Sequence, residues 1–164
     1  MIVISDTSPI TNLAAVGHLS LLKQLYGDII IPERVYQELT GAGDSIPGCR
    51  EVQTLAWISV RSAANQEQVR LLQDKLDAGE AEAITLAVEL DADWLLIDEE
   101  LGRTIAAEYQ IQFTGVLGIL IEAKYRGLIT QVKPLLDELI RTADFWVSDR
   151  LYSRVLQMAG EAGE

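Results

Sequence analysis

Short apolar runs alternate along this chain with longer segments in which apolar residues recur every three or four positions. The first pattern is typical of buried strands, and the second of helices with one apolar face. Because the apolar runs are short and nearly continuous, they predict strands covered on both faces, as in a parallel sheet. The predicted strands are residues 2–5, 29–31, 94–97 and about 112–114, with 57–60 as a weaker fifth.

Capping residues and prolines between these runs indicate where helices begin. Ser8 precedes Pro9, a pair typical of a helix start, and Pro32 begins a second helix in the same way. Ser148 is suited to cap a last helix, because apolar residues follow at helical spacing. Further helices are predicted for residues 79–90, 101–109 and 116–125. This alternation predicts an α/β fold, a three-layer α/β/α sandwich around a central parallel sheet of about four or five strands.

The composition fits one domain that spans residues 1–164. The chain has 164 residues, 49% of them hydrophobic, which suffices for one continuous core. Cys49 is the only cysteine, which excludes an intramolecular disulfide and a zinc site of paired thiolates and favours a reducing compartment. No positively charged segment precedes the first apolar run, so neither a signal peptide nor a membrane span is predicted, and the expected location is cytoplasmic.

The formal net charge of −12 argues against a nucleic-acid-binding protein, because such proteins usually carry surplus Lys and Arg. A solubilising acidic surface accounts for most charge of this kind. Carboxylates concentrated in one pocket are the exception, since cations bound there make the pocket attractive to phosphate.

Two aspartates stand at the ends of predicted strands. Asp6 follows the first strand, and Asp98 follows the strand at residues 94–97. Ligands of an open parallel sheet bind at the carboxyl ends of its strands, where these two carboxylates converge if the strands are neighbours. Clustered carboxylates favour a hard cation such as Mg²⁺ or Mn²⁺, which activates water for attack on a phosphodiester.

Two glutamates are candidates to join the aspartates from predicted helices. Glu38 lies three residues after Val35, at the edge of the apolar face of its helix. Glu80 aligns at helical spacing with Ile84 and is therefore the better inward-facing candidate. Glu82 aligns with more polar neighbours, and the choice between the two glutamates stays open.

Three further polar residues are candidates to bind substrate. Ser8 and Asn12 lie four residues apart, on one face of the first helix, although Ser8 fits the role of helix cap equally well. Arg103 fits either a phosphate clamp or an ion pair with Glu99 or Glu100.

Taken in order, these motifs resemble the PIN-domain family of metal-dependent ribonucleases. The matching segments are 3–9 with Asn12, 31–38, 79–84, 95–98 and, as in a prokaryotic branch of the family, 115–120. The resemblance implies an Mg²⁺- or Mn²⁺-dependent endoribonuclease, the VapC-like toxin of a toxin–antitoxin pair. The implied catalytic metal ligands are Asp6, Glu38, Glu80 and Asp98. It also implies a homodimer and an antitoxin protein that blocks the site. Glu80 departs from the commonest pattern, in which this position is Asp.

Other enzymatic interpretations fit the sequence less well. A haloacid-dehalogenase-like phosphatase needs a second Asp two residues after Asp6, where Ser8 stands. A phospho-receiver domain needs an Asp after a middle strand, and Pro32 follows that strand here. The single histidine, His18, lies in a predicted turn between two helices and does not indicate a nucleophilic triad. The remaining alternative is a PIN-like module that binds RNA or a protein without cutting.

Overall fold

A computed structural model describes residues 1–161, and within them the chain forms one sheet of five parallel strands in the order β3-β2-β1-β4-β5. The three-layer fold with a central parallel sheet is thus confirmed, and so is the weakest of the predicted strands. The strands are β1 Val3–Ser5, β2 Ile29–Pro32, β3 Ile58–Arg61, β4 Trp94–Leu96 and β5 Phe113–Thr114.

The strand order reverses at β1, which lies in the centre of the sheet. The chain moves from β1 outward to β2 and β3, and then returns to place β4 on the other side of β1. Ser5 pairs with Leu96, so β1 and β4 end side by side. In a parallel sheet this reversal opens a crevice at the carboxyl ends of the two strands.

Helices flank the sheet on both faces. Those predicted from capping and periodicity are present, with bounds shifted by a few residues, and they are α1 Thr7–Ala15, α3 Glu33–Thr40, α6 Ala78–Glu89, α7 Glu100–Glu108, α8 Val116–Tyr125 and α10 Asp149–Met158. No bounds were predicted from the sequence for α2 Ser20–Tyr26, α4 Cys49–Thr54, α5 Gln66–Leu72 and α9 Lys133–Thr142. Three of these have only six or seven residues and therefore carry little periodic signal. For α9, the proline in the first turn was a usable start signal.

Successive side chains of each strand point to opposite faces of the sheet. The interior is therefore divided into two apolar clusters, one on each face. Val3 and Leu96 belong to the cluster that includes α8 and α9, whereas Ile4 and Leu95 belong to the cluster around α6. Full burial of such a side chain contributes about 1.5–3 kcal/mol. Within residues 1–161, no helix has the length and apolar character that a bilayer crossing requires.

Candidate functional site

The crevice at the ends of β1 and β4 is an acidic cleft of about 560 Å³. Its lining carries seven carboxylates and no Lys or Arg. The four acids singled out in the sequence, Asp6, Glu38, Glu80 and Asp98, all line it. The strand order brings Asp6 and Asp98 together, because these two residues follow the adjacent strands β1 and β4.

Asp6 occupies the deepest position among these acids and begins α1. Its backbone N–H donates a hydrogen bond of 2.9 Å to the Leu96 carbonyl, and the residue is only 5% exposed. Burial raises the pKa of Asp6 well above its usual range, the Thr7 N–H opposes this rise, and the negative charge of Glu80 adds to it. Because no Lys or Arg lines the cleft to balance the negative charges near Asp6, this position favours binding of a cation.

Asp98 is held by hydrogen bonds to both of its carboxylate oxygens. Oδ1 accepts from the Val116 N–H over 2.7 Å, and Oδ2 accepts from the Ser8 hydroxyl over 2.8 Å. The Asn12 amide donates in turn to Ser8 Oγ over 2.9 Å. Burial raises the pKa of Asp98, and these donors oppose the rise. Ser8 and Asn12 therefore orient an acid, and Ser8 is not a helix cap, because Asp6 holds the N-cap position of α1.

The Glu80 side chain forms part of the cap at the N-terminus of α6. Its N–H donates to Asp77 Oδ1 over 2.8 Å, and its Oε1 accepts from the Asp77 N–H over 3.2 Å, which together form a capping box. Burial raises the pKa of Glu80 to about 7, opposed by the Asp77 N–H, and the Asp77 charge adds to the rise. Asp77 also lines the cleft and was missed in the sequence, although an acid three residues before Glu80 is a recognisable capping signal.

Glu80 was the better inward-facing candidate in the sequence, but Glu82 is also buried, at 1% exposure against 6% for Glu80. The reason is that α6 packs on all sides, and every residue from Gly79 to Ala87 is buried. Glu82 accepts from the backbone N–H of Arg34 over 2.9 Å and from that of Ala63 over 3.0 Å. It lines a separate, larger cleft of about 820 Å³ and not the acidic one.

Glu38 lies between the two clefts and lines both. Its side chain is exposed, and Oε2 accepts a hydrogen bond from the Thr7 hydroxyl over 2.5 Å. With one hydrogen bond and access to solvent, this carboxylate is the least constrained of the four.

Arg103 does not form the ion pair proposed with Glu99 or Glu100 among the residues that the structure describes. Its guanidinium lies over the Phe113 ring, 5.0 Å from the centroid, because the planar cation is attracted to the aromatic face. It does not line the acidic cleft, but its charge helps to hold down the pKa of Asp98. Phe145 and Trp146, which the sequence analysis did not single out, do line the cleft.

The donor chemistry of the cleft fits a hard divalent cation, since every acidic group there offers oxygen. As these side chains stand, no three Asp, Glu, His or Cys residues within 1–161 are close enough together to hold an ion. Cation binding would therefore require acidic side chains of the cleft to change rotamer, and recruitment of Glu80 would break its capping box.

A family model described as "DUF3368: PIN domain" matches residues 2–161. The chain belongs to the PIN-domain family. This match confirms the family resemblance that the sequence motifs indicated. The PIN domain is generally a nuclease fold. Among solved structures, this PIN domain is similar to a PilT N-terminus domain protein, SSO1118, from the hyperthermophilic archaeon Sulfolobus solfataricus P2. The TM-score is 0.57 and the identity 18%, over 75% of this chain and 93% of that one, so the likeness shows the fold alone. No curated protein matches the chain significantly.

Proposed function

We propose that this PIN domain is an endoribonuclease that uses Mg²⁺ or Mn²⁺ to hydrolyse phosphodiester bonds in RNA. The observation that supports this most strongly is the cleft itself, which seven carboxylates line without any Lys or Arg. Burial is the main cause that raises the pKa of Asp6, and the negative charges of Glu80, Asp77 and Glu38 add to it, so a bound cation would relieve this repulsion. The proposed ligands are Asp6, Glu38, Glu80 and Asp98.

Each of these residues contributes differently to the proposed reaction. When bound, the divalent cation supplies charge neutralisation at the phosphate and lowers the pKa of water. Asp98 offers a carboxylate whose orientation Ser8 and Val116 fix in advance. Glu38 is exposed and held by one hydrogen bond, from Thr7, so its carboxylate can move toward the cation. Glu80 would join as a ligand by leaving the capping box at the start of α6.

The decisive experiment measures thermal stability with and without Mg²⁺ or Mn²⁺. A cation that binds only the folded state raises Tm, and Asp6→Asn or Asp98→Asn should abolish that rise together with RNA cleavage. Asp91→Asn is the control, because Asp91 is an exposed acid that precedes β4 and so lies toward the opposite end of the strands. The absence of a Tm rise in either metal would contradict the proposal.

The alternative is a PIN-like module that binds RNA or a protein without cutting. Both oxygens of Asp98 already accept hydrogen bonds, and the capping box occupies Glu80, which favours a structural role for two of the four acids. RNA binding with no cleavage and no Tm rise in Mg²⁺ or Mn²⁺ would support this function.

We also propose that the chain is a homodimer and the toxin of a toxin–antitoxin pair, inhibited by a basic partner protein. The net charge of −12 supports the basic partner, because an acidic surface attracts a partner of opposite charge. A basic polypeptide that co-purifies from the native host and suppresses RNA cleavage would support the pair. Isolation of the chain alone would count against it, and light scattering tests the dimer.

A further inference from the structure

The loop between α9 and α10 places an exposed tryptophan at the mouth of the acidic cleft. Trp146 lines the cleft and is 82% exposed. Its neighbours Phe145 and Val147 pack against the apolar core, and the Phe145 N–H donates a hydrogen bond of 3.2 Å to the Leu139 carbonyl. The loop is thus anchored on both sides of Trp146, and its indole is directed away from the core.

Packing in the apolar core does not explain why a tryptophan stands at position 146. The other two tryptophans, Trp57 and Trp94, pack against the core, whereas Trp146 leaves most of its aromatic surface in water. Isolated exposed apolar residues are common, but this one lies within the lining of the cleft where chemistry is proposed.

The charge of the cleft limits how it can hold a polyanion. Its lining offers no Lys or Arg to contact phosphate, and the carboxylates around Asp6 repel it. Stacking of a nucleobase on an indole requires no charge, and it is available to any base with a free face. Bases in a duplex are covered by their neighbours, whereas those of a single strand can unstack and bind an aromatic side chain.

We propose that Trp146 binds the RNA substrate by stacking on an unpaired base next to the scissile phosphate. This inference rests on the proposed ribonuclease function and deepens it by naming a residue that binds the substrate. Trp146 acts in binding, and it does not take part in bond breaking.

The first test uses tryptophan fluorescence of the full chain, titrated with a short mixed-sequence single-stranded RNA. Ca²⁺ replaces Mg²⁺, so that binding is measured while cleavage is slowed. The RNA should quench the emission of the parent protein, because the exposed Trp146 contacts a base. Trp146→Ala should lose this quenching and weaken binding about tenfold, in line with the usual contribution of one stacked base. Trp146→Phe should keep affinity within about threefold of the parent, because it preserves an aromatic face.

Tyr125→Ala is the matched control. Tyr125 is 83% exposed, like Trp146, but it ends α8 and does not line the cleft. This variant should keep the parent affinity and quenching, and a duplex of the same sequence should not quench. In Mg²⁺, Trp146→Ala should raise KM about tenfold while kcat stays within about threefold.

Three results would overturn the inference, and they differ in what they say about the proposed function. If Trp146→Ala binds and cuts single-stranded RNA as the parent does, base stacking is wrong while the ribonuclease proposal stands. If the duplex quenches and binds as well as the single strand, stacking on an unpaired base is wrong. If Trp146→Ala impairs capture of a protein partner but leaves RNA affinity unchanged, the residue belongs to a protein interface.

Discussion

The Ser8 hydroxyl donates a hydrogen bond of 2.8 Å to Asp98 Oδ2, across 90 residues of sequence. This contact joins the first turn of α1 to the end of β4, and Asn12 extends it by donating to Ser8 Oγ. Because the Val116 N–H holds the other oxygen of Asp98, the carboxylate has one preferred orientation. The acid that follows β4 is thus positioned by two helices, α1 and α8.

Ser8→Ala should leave Asp98 without one of its two donors. A hydrogen bond to a charged group contributes about 1.5–3 kcal/mol, so the free energy of unfolding at neutral pH should fall by about 1–2 kcal/mol after partial replacement by water. The rise in Tm on adding Mn²⁺ should also become smaller, because Asp98 is less well oriented. Chemical denaturation and thermal scans measure both effects. Thr104→Ala is the control, because Thr104 bonds only within its own helix. Equal effects in the two variants would contradict this role.

Without a divalent cation, stability should fall as the pH rises. Burial raises the pKa of Asp6, Glu80 and Asp98, and Glu80 titrates at about 7 instead of 4.5. The folded state therefore holds protons that the unfolded state has released, so the stabilisation is complete below pH ~4 and is lost as the pH approaches ~7.

Thermal scans in chelator across this range should show Tm decreasing, whereas saturating Mn²⁺ should reverse the decrease. Asp6→Asn should flatten the profile and raise Tm at pH ~8 by about 2–4 °C, which corresponds to about 1 kcal/mol in a domain of this size. A Tm that rises between pH ~4.5 and ~7 in chelator would show that the acids are not desolvated as the structure indicates.

Glu82→Ala should destabilise the fold without removing the cation response. Glu82 is buried and accepts from the Arg34 and Ala63 N–H groups and the Gln66 amide, so its loss leaves buried donors unpaired. The expected cost is about 3 kcal/mol, or about 6–12 °C in Tm. Glu89→Ala is a matched control, since Glu89 also accepts two backbone N–H groups but is exposed, and water can replace it. Loss of the Mn²⁺-induced Tm rise in Glu82→Ala would place Glu82 among the ligands.

Gly115→Ala should disturb the site without changing any charge. A Cβ at position 115 would lie closer to Asp98 Oδ1 than van der Waals contact allows and would also crowd the Ile97 carbonyl. Because the backbone of Gly115 is extended, the substitution acts through this contact and not through backbone strain. We expect RNA cleavage to fall at least about tenfold, as displacement of a catalytic group by about 1 Å commonly causes larger losses. Parent-like cleavage would mean that the position of Asp98 is not critical.

The sequence was most informative where the signal is local. Apolar runs predicted all five strands, and capping residues predicted the helices that follow Asp6 and Pro32. The four acids could be singled out because two follow strands and two lie on helices beside them, and all four line one cleft. Short helices such as α4 were missed, since one or two turns carry too little periodicity to distinguish them from loops.

The sequence by itself determined the alternation of strands and helices and the chemical type of the site, because periodicity and residue identity are local properties. Only the tertiary structure decided which distant residues meet. The order of the strands puts Asp6 beside Asp98, full packing around α6 buries Glu82, and the anchored loop brings Trp146 to the cleft. These contacts depend on how sheet and helices pack together in three dimensions, and no spacing of residues along the chain encodes that packing directly.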